Sequence, residues 1–437
     1  MAYSLQKKFV VFFILLIVIS SSFSVVERFP KPDFKSGYQR PVPTAPQPRS
    51  TVLEYLDVFV LLAALSLASY FALKVRSRKY IFLLTVFALF YFGYIREGCV
   101  CAVGSVQNVV YAMFNGSYII PLGVIAFFAL PLIFALFYGR TFCAAVCPLG
   151  AIQDVMILKP LKIPRWLTEI LSIFPYLYLG LAVLFAATGA GFIICQYDPF
   201  VGFFRFGATF NMIILGVSLL LLGTVVARPY CRFLCPYGVL LNWMSRLTAR
   251  HATITPSECT NCRLCEASCP FDAIDIPLEE KEQEDKKASL RRLVWLIALL
   301  PVIVISSGWV ISGMYLPLAR QHNTVALAES IMREDSGMQT VSTLETRTFR
   351  ASGKPTQELL AEARLIQEKF RIGSWILGGF IGLIFGLKLI NLSVHRKRTI
   401  YSINQGTCYS CGRCFDYCPF EQERIQSLNR ISVLNEF

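Results

Sequence analysis

The sequence predicts an all-α membrane bundle of about eight transmembrane helices around a duplicated core, with a small α+β domain appended on one side. Three observations predict it. The 437 residues are 55% hydrophobic and 16% charged, with a mean hydropathy of +0.54, whereas soluble chains carry about 25% charged residues. Apolar runs recur at lengths close to the roughly 20 residues that a spanning helix needs. Fifteen cysteines fall largely into two kinds of repeated motif.

The apolar runs lie at about 9–26, 53–73, 80–97, 117–138, 170–194, 207–227, 293–314 and 373–393. The first follows Lys7 and Lys8 and ends in Ser20-Ser-Ser22, which fits a signal-anchor helix or a cleavable signal peptide over residues 1–27. Either one exports the Pro-rich loop 28–52. Basic residues set the sidedness. Lys74-Val-Arg-Ser-Arg-Lys79, Arg228 to Arg250 and His395-Arg-Lys-Arg398 fall on one side when the helices alternate from a cytoplasmic N-terminus. Loop 27–52, with Arg28, Lys31, Lys35, Arg40 and Arg49, dissents and is outvoted. The remaining boundaries follow: a membrane core at 53–250, two halves of a cytoplasmic domain at 251–290 and 395–437, and a transmembrane hairpin at 291–394. The hairpin exports residues 315–371, where Pro355 and the residues from Gln357 to Arg364 read as the start of an exposed helix. This describes a multi-pass protein of a bacterial inner membrane. Its net charge of +14 is assigned to cytoplasmic helix ends and anionic lipid, so no nucleic-acid partner is expected.

Cys259-x2-Cys262-x2-Cys265-x3-Cys269-Pro270 is the run that binds [4Fe–4S] clusters in bacterial ferredoxins, and Cys408-x2-Cys411-x2-Cys414-x3-Cys418-Pro419 repeats it. Three cysteines of the tight loop wrap one cubane, and the fourth ligates the other. That rule assigns cluster one to Cys259, Cys262, Cys265 and Cys418, and cluster two to Cys408, Cys411, Cys414 and Cys269. Zinc ribbons also use C-x2-C pairs, but four cysteines and a proline at this spacing, present twice, point to iron–sulfur. The small domain is therefore a two-cluster bacterial ferredoxin facing the cytoplasm. Both halves meet because a hairpin returns the chain to its starting side.

Arg140-Thr-Phe-Cys143-x3-Cys147-Pro148-Leu-Gly150 and Arg228-Pro-Tyr-Cys231-x3-Cys235-Pro236-Tyr-Gly238 share the pattern R-x-[FY]-C-x3-C-P-x-G, which implies an internal repeat. Converging, Cys143, Cys147, Cys231 and Cys235 could hold a third cluster with Arg140 and Arg228 offsetting the charge. The alternative is that they are small buried hydrophobes. Cys99, Cys101 and Cys195 stand outside these motifs and fit either an outer-face cofactor site or a disulfide. The histidines His251, His322 and His395 lie outside the apolar runs, which leaves no ligands for a transmembrane haem. Phe206-Gly-Ala-Thr209 lacks the leading residues of a flavin-threonine attachment site, so FMN is not expected on this chain.

Paired C-x3-C-P motifs after membrane helices, followed by two ferredoxin runs, resemble the NapH/NosR-type membrane polyferredoxin family over residues 80–425 or so. The resemblance implies electron transfer from the quinol pool or a cytoplasmic donor to a periplasmic reductase, with the twelve motif cysteines as redox residues. It also implies a bound quinone as one option and, as further partners, membrane lipid and a separate flavoprotein subunit, because the flavin-binding domain of NosR-type members is missing here. No P-loop or nucleophile motif appears, so an electron-transfer subunit is expected rather than a stand-alone catalyst. Two alternatives remain: a membrane copper or iron reductase or oxidase-assembly factor, and a membrane redox sensor.

Overall fold

The computed structural model describes residues 50–98, 102–116, 118–248, 250–254, 262–277, 286–338, 342–393 and 401–423. The apolar run at 9–26, nearly all of loop 28–52, Cys99, Cys101, Cys259 and His395 lie outside the described residues. Among those described, five helices are long and apolar enough to cross a membrane, and three apolar helices are shorter. In chain order they are α1 (Val52–Val75), α2 (Arg78–Ile95), α3 (Ala102–Phe114), α4 (Leu122–Tyr138), α5 (Arg165–Thr188), α6 (Phe210–Gly223), α7 (Leu290–Ser312) and α8 (Thr356–Ser393).

The runs expected at 117–138 and 207–227 shorten to 17 and 14 residues. Pro121 and Thr209, both extended, cap their starts, and each ends just before its C-x3-C-P motif. Helices α4 and α6 are thus corresponding parts of the two repeats. After each, the chain folds into a broken pair: Thr141–Ala145 then Pro148–Val155, and Pro229–Phe233 then Pro236–Arg246. Such broken helices are tolerated where protein surrounds them, and Cys143, Cys147, Cys231 and Cys235 are all buried.

Helix α3 adds an element that hydropathy did not suggest. Gly104, Ser105, Gln107 and Asn108 interrupt its apolar run, yet its first half is buried. Gln107 is fully buried, and its carbonyl accepts the Ile194 N–H at 2.9 Å.

The last span is not a separate element from the helix expected to start after Pro355. One helix of 38 residues runs from Thr356, just after Pro355, to Ser393. At 1.5 Å per residue it is about 57 Å long, well beyond the hydrocarbon thickness of roughly 30 Å. Leu359, Ala363, Ile366 and Phe370 line one stripe of its first half, against Val325, Ala328 and Ile331 of the helix Asn323–Asp335. In its second half, Gly378 and Gly382 bring α7 close, and Ser307 Oγ donates to Gly378 O at 2.8 Å.

The two ferredoxin halves meet as one antiparallel ribbon. Strand β1 (Ile274–Asp275) pairs with β2 (Ser402–Ile403), Ile274 opposite Ile403 and Asp275 opposite Ser402. The hairpin of α7 and α8 thus returns the chain to the partner of the strand it left.

Candidate redox site

The two repeats interlock through their arginines. Arg228 lies over the glycine of the first motif: a Cβ on Gly150 would stand 3.5 Å from Arg228 Nη1. Conversely, a Cβ on Gly238 would stand 3.4 Å from Arg140 Nη2. Each motif's arginine thus packs against the other motif's closing glycine. Cys147 and Cys235 are extended residues that cap the following helices, each with proline at the first helical position. Their thiols therefore sit at helix N-termini, where the backbone favours negative charge.

The guanidinium groups do more than balance charge. Arg228 is fully buried, donates to the carbonyls of Cys143 and Ala144, and pairs with Asp154 at 3.1 Å. Arg140 Nη2 lies 3.9 Å from Cys143 Sγ, and its Nη1 donates to Gly406 O at 3.0 Å. Gln153 donates to Cys231 Sγ at 3.2 Å and accepts the Tyr230 N–H at 3.0 Å. Both arginines keep a buried Nε without a hydrogen-bond acceptor. Buried donors are seldom left so. Four buried thiols beside two such donors suit a negatively charged, thiolate-bound group. The two cationic charges match the double negative charge of an oxidised cubane on four thiolates.

The ferredoxin module closes this core. Tyr409, next to Cys408, lies flat beneath Arg140 with 4.2 Å from guanidinium to ring centroid, and its hydroxyl donates to Cys231 O at 3.1 Å. Phe271, two residues past Cys269, packs against Tyr409 with ring centroids 4.6 Å apart and the planes tilted by 45°. Both aromatics share one continuous buried core with the four C-x3-C-P cysteines. Burial pushes the Tyr409 phenol up to about 12, so it stays protonated. Around the rim, Arg78 donates to Cys411 O at 3.2 Å, Arg76 pairs with Glu421 at 2.9 Å, and Arg232 pairs with Asp272 at 3.0 Å.

Cys269 lines one cavity together with Cys408, Cys411 and Cys414. One cysteine from the first run thus joins three from the second, and four thiols in one cavity fit a cubane. Burial pushes the Cys408 thiol up to about 12 and raises those of Cys269 and Cys414. Taking up iron there must release protons. Of the other predicted set, Cys265 is buried, Cys262 is exposed and Cys418 is half-buried, while Cys259 lies outside the described residues. Among the described residues no group of three or more His, Cys, Asp and Glu stands at the spacing of a single metal ion. A cubane spreads its ligands over its corners, wider than the tetrahedron of one zinc.

Cys195 lies at the opposite end, in a cavity of about 260 Å³ that Asp57, Arg96, Asp198 and Arg205 also line. Asp57 pairs with Arg96 at 2.9 Å and accepts from the Tyr91 hydroxyl at 2.8 Å. Burial pushes the Asp198 carboxyl up to about 6. Its predicted companions Cys99 and Cys101 lie outside the described residues. His251 faces Gln405, and His322 caps the helix Asn323–Asp335. The FGAT segment, Phe206 to Thr209, is the approach to α6.

Sequence reasoning missed Gln153, Asp154, Phe271 and Tyr409. Only the position of the two aromatics beside cluster cysteines offered a hint.

Residues 119–165 and 208–255 match the same family model, described as a 4Fe-4S binding domain, once for each repeat. Residues 252–275 match a second model of the same description. The chain is 31% identical over 153 residues to the protein NirI of Paracoccus denitrificans, a match covering 32% of this chain and 22% of NirI. It is 28% identical over 204 residues to the uncharacterized protein MJ0750 of Methanocaldococcus jannaschii, covering 44% of this chain and 82% of that protein. It is 26% identical over 210 residues to the regulatory protein NosR of Pseudomonas aeruginosa, covering 43% and 28%. The matches thus span less than two thirds of NirI and NosR. No solved structure matches.

Proposed function

We propose, on the premise that this chain is a membrane polyferredoxin of the NapH/NosR type, that it relays single electrons across the membrane. The donor side is the cytoplasmic ferredoxin module, fed by a quinol or a cytoplasmic donor, and the acceptor is a periplasmic reductase. The observation that carries this reading is the closure of the C-x3-C-P core by Tyr409. A ferredoxin that only delivered electrons in the cytoplasm would not need its cluster loop built into the membrane core.

Cys408, Cys411, Cys414 and Cys269 would hold one cubane, and Cys259, Cys262, Cys265 and Cys418 the other. Cys143, Cys147, Cys231 and Cys235 would hold a further iron–sulfur group, which supplies a one-electron stop between the two faces when bound. The chain's own residues do the rest. Arg140 and Arg228 hold positive charge against the thiolates, and Gln153 orients Cys231 through its hydrogen bond. Phe271 and Tyr409 exclude water from the join.

The test is the iron and acid-labile sulfide content of anaerobically purified protein, with spectra of the reduced state. About ten to twelve irons per chain are expected. About eight would mean two cubanes alone, and the relay would end at the ferredoxin module.

A further inference from the structure

We propose that Tyr409, held by Arg140 and backed by Phe271, is the residue through which the electron passes between cluster two and the C-x3-C-P core. The inference rests on the relay reading above and names its connecting step. Tunnelling falls steeply across gaps and is fastest along bonded or hydrogen-bonded paths. Such a path is present. Cys408, which lines the cluster-two cavity, is joined by one peptide bond to Tyr409, and the Tyr409 hydroxyl donates to the carbonyl of Cys231 at 3.1 Å. The ring in between is buried and covered on one side by Arg140 at 4.2 Å. A second branch runs from Cys269 through Pro270 to Phe271, whose ring packs tilted against Tyr409 with centroids 4.6 Å apart. Both ends of the cluster-two set that come from different runs therefore converge on one ring.

Arg140 fixes that ring and touches both sites. It reaches Gly406 in the cluster-two loop at 3.0 Å and Cys143 Sγ at 3.9 Å. Its charge lies between two anionic sites and lessens their repulsion. One electron leaves the centre held by Cys269, Cys408, Cys411 and Cys414 and arrives at the centre held by the four core thiols. The first is oxidised and the second reduced. No bond breaks and no proton moves, because Tyr409 keeps its hydroxyl hydrogen in the bond to Cys231.

The test uses full-length protein carrying Tyr409→Leu or Tyr409→Phe. Iron content, the midpoint potentials of both centres and the rate of electron equilibration between them after rapid reduction are measured by freeze-quench EPR. Tyr409→Leu is expected to retain iron while losing most of the fast equilibration, more than any accompanying change in the two potentials accounts for. Tyr409→Phe keeps the ring without the hydrogen bond and is expected to fall between. A merely structural role would shift potentials or iron content instead. Wild-type equilibration in a fully loaded Tyr409→Leu protein overturns the proposal. Should that variant lose iron, Tyr409→Phe decides: slower equilibration with full iron supports the path, and an unchanged rate overturns it. About eight irons per wild-type chain defeats the relay reading itself, and the bridge with it.

Discussion

Asp154 collects three arginines from distant parts of the chain. Arg78 is the first residue of α2, Arg228 opens the second C-x3-C-P motif, and Arg413 belongs to the second ferredoxin half. Arg228 and Arg413 stand 3.1 and 3.6 Å from its carboxylate, and Arg78 donates to it directly. Burial pushes the carboxyl up, but the arginines outweigh burial and hold it below its ordinary value of 3.8. A carboxylate with a lowered folded pKa contributes stability that is full above the unfolded value and is lost as pH falls through the folded one. Asp154→Asn removes the shared partner of three buried or half-buried cations. Leaving buried charges unpaired costs roughly 3–5 kcal/mol. Thermal unfolding in detergent at neutral pH should show a large drop, and the variant should lose part of the wild type's sensitivity to acid. A melting point like the wild type's would mean that the network does not hold the module down. The cysteines and Arg140 and Arg228 were legible because spacing alone identifies them. Asp154 was not, because a single acid on a short helix carries no pattern until the fold brings its arginines together.

At the scale of elements, hydropathy found the long helices and missed what surrounds the repeats. Helix α4 fell short at its start, after the extended Pro121, and α6 at both ends, after the extended Thr209 and before the turn that leads to Arg228; a window average cannot see those boundaries. Helix α3 escaped for the opposite reason: Ser105, Gln107 and Asn108 look like a loop, yet Ser105 and Gln107 are buried and the Gln107 side chain accepts from Ile194. The continuity of α8 from Thr356 through its apolar half was half visible. Pro355 marked the start correctly, but the charged residues up to Arg371 hid the continuity. The pairing of α8 with α7 depends on glycine. A Cβ on Gly378 would lie 2.5 Å from Ser307 O and 2.7 Å from the Gly308 Cα, so Gly378→Leu must force the two backbones apart. Overpacking of that kind costs about 1–3 kcal/mol. Since this hairpin alone returns the chain to β2, the variant should lower iron content as well as melting temperature. Full iron with normal stability would show that the ferredoxin halves hold together without the hairpin's close contact.

Across the whole molecule, the ferredoxin is split by a membrane hairpin and rebuilt from both sides. The ribbon between β1 and β2 supplies the backbone part of that rebuilding. The cavity shared by Cys269 with Cys408, Cys411 and Cys414 supplies the chemical part. Crossed ligation follows from chain order alone in a short ferredoxin. Here 138 residues, 270–407, separate the two runs, so the same rule would make each cluster a clasp between halves made far apart in the sequence. Cubane formation should therefore be coupled to correct packing of α7 against α8, because under crossed ligation the fourth cysteine of each run serves the other run's cluster. Cys269→Ser tests the clasp. It should abolish the cluster built on the Cys408 run and lower iron by about four per chain, with the signal of the Cys259 run retained. Cys418→Ser should do the reverse. A Cys269→Ser protein that loses only the Cys259-run signal would mean that each half closes its own cluster. The arginine-bound docking of Tyr409 would then have to hold the two halves together without help from the iron.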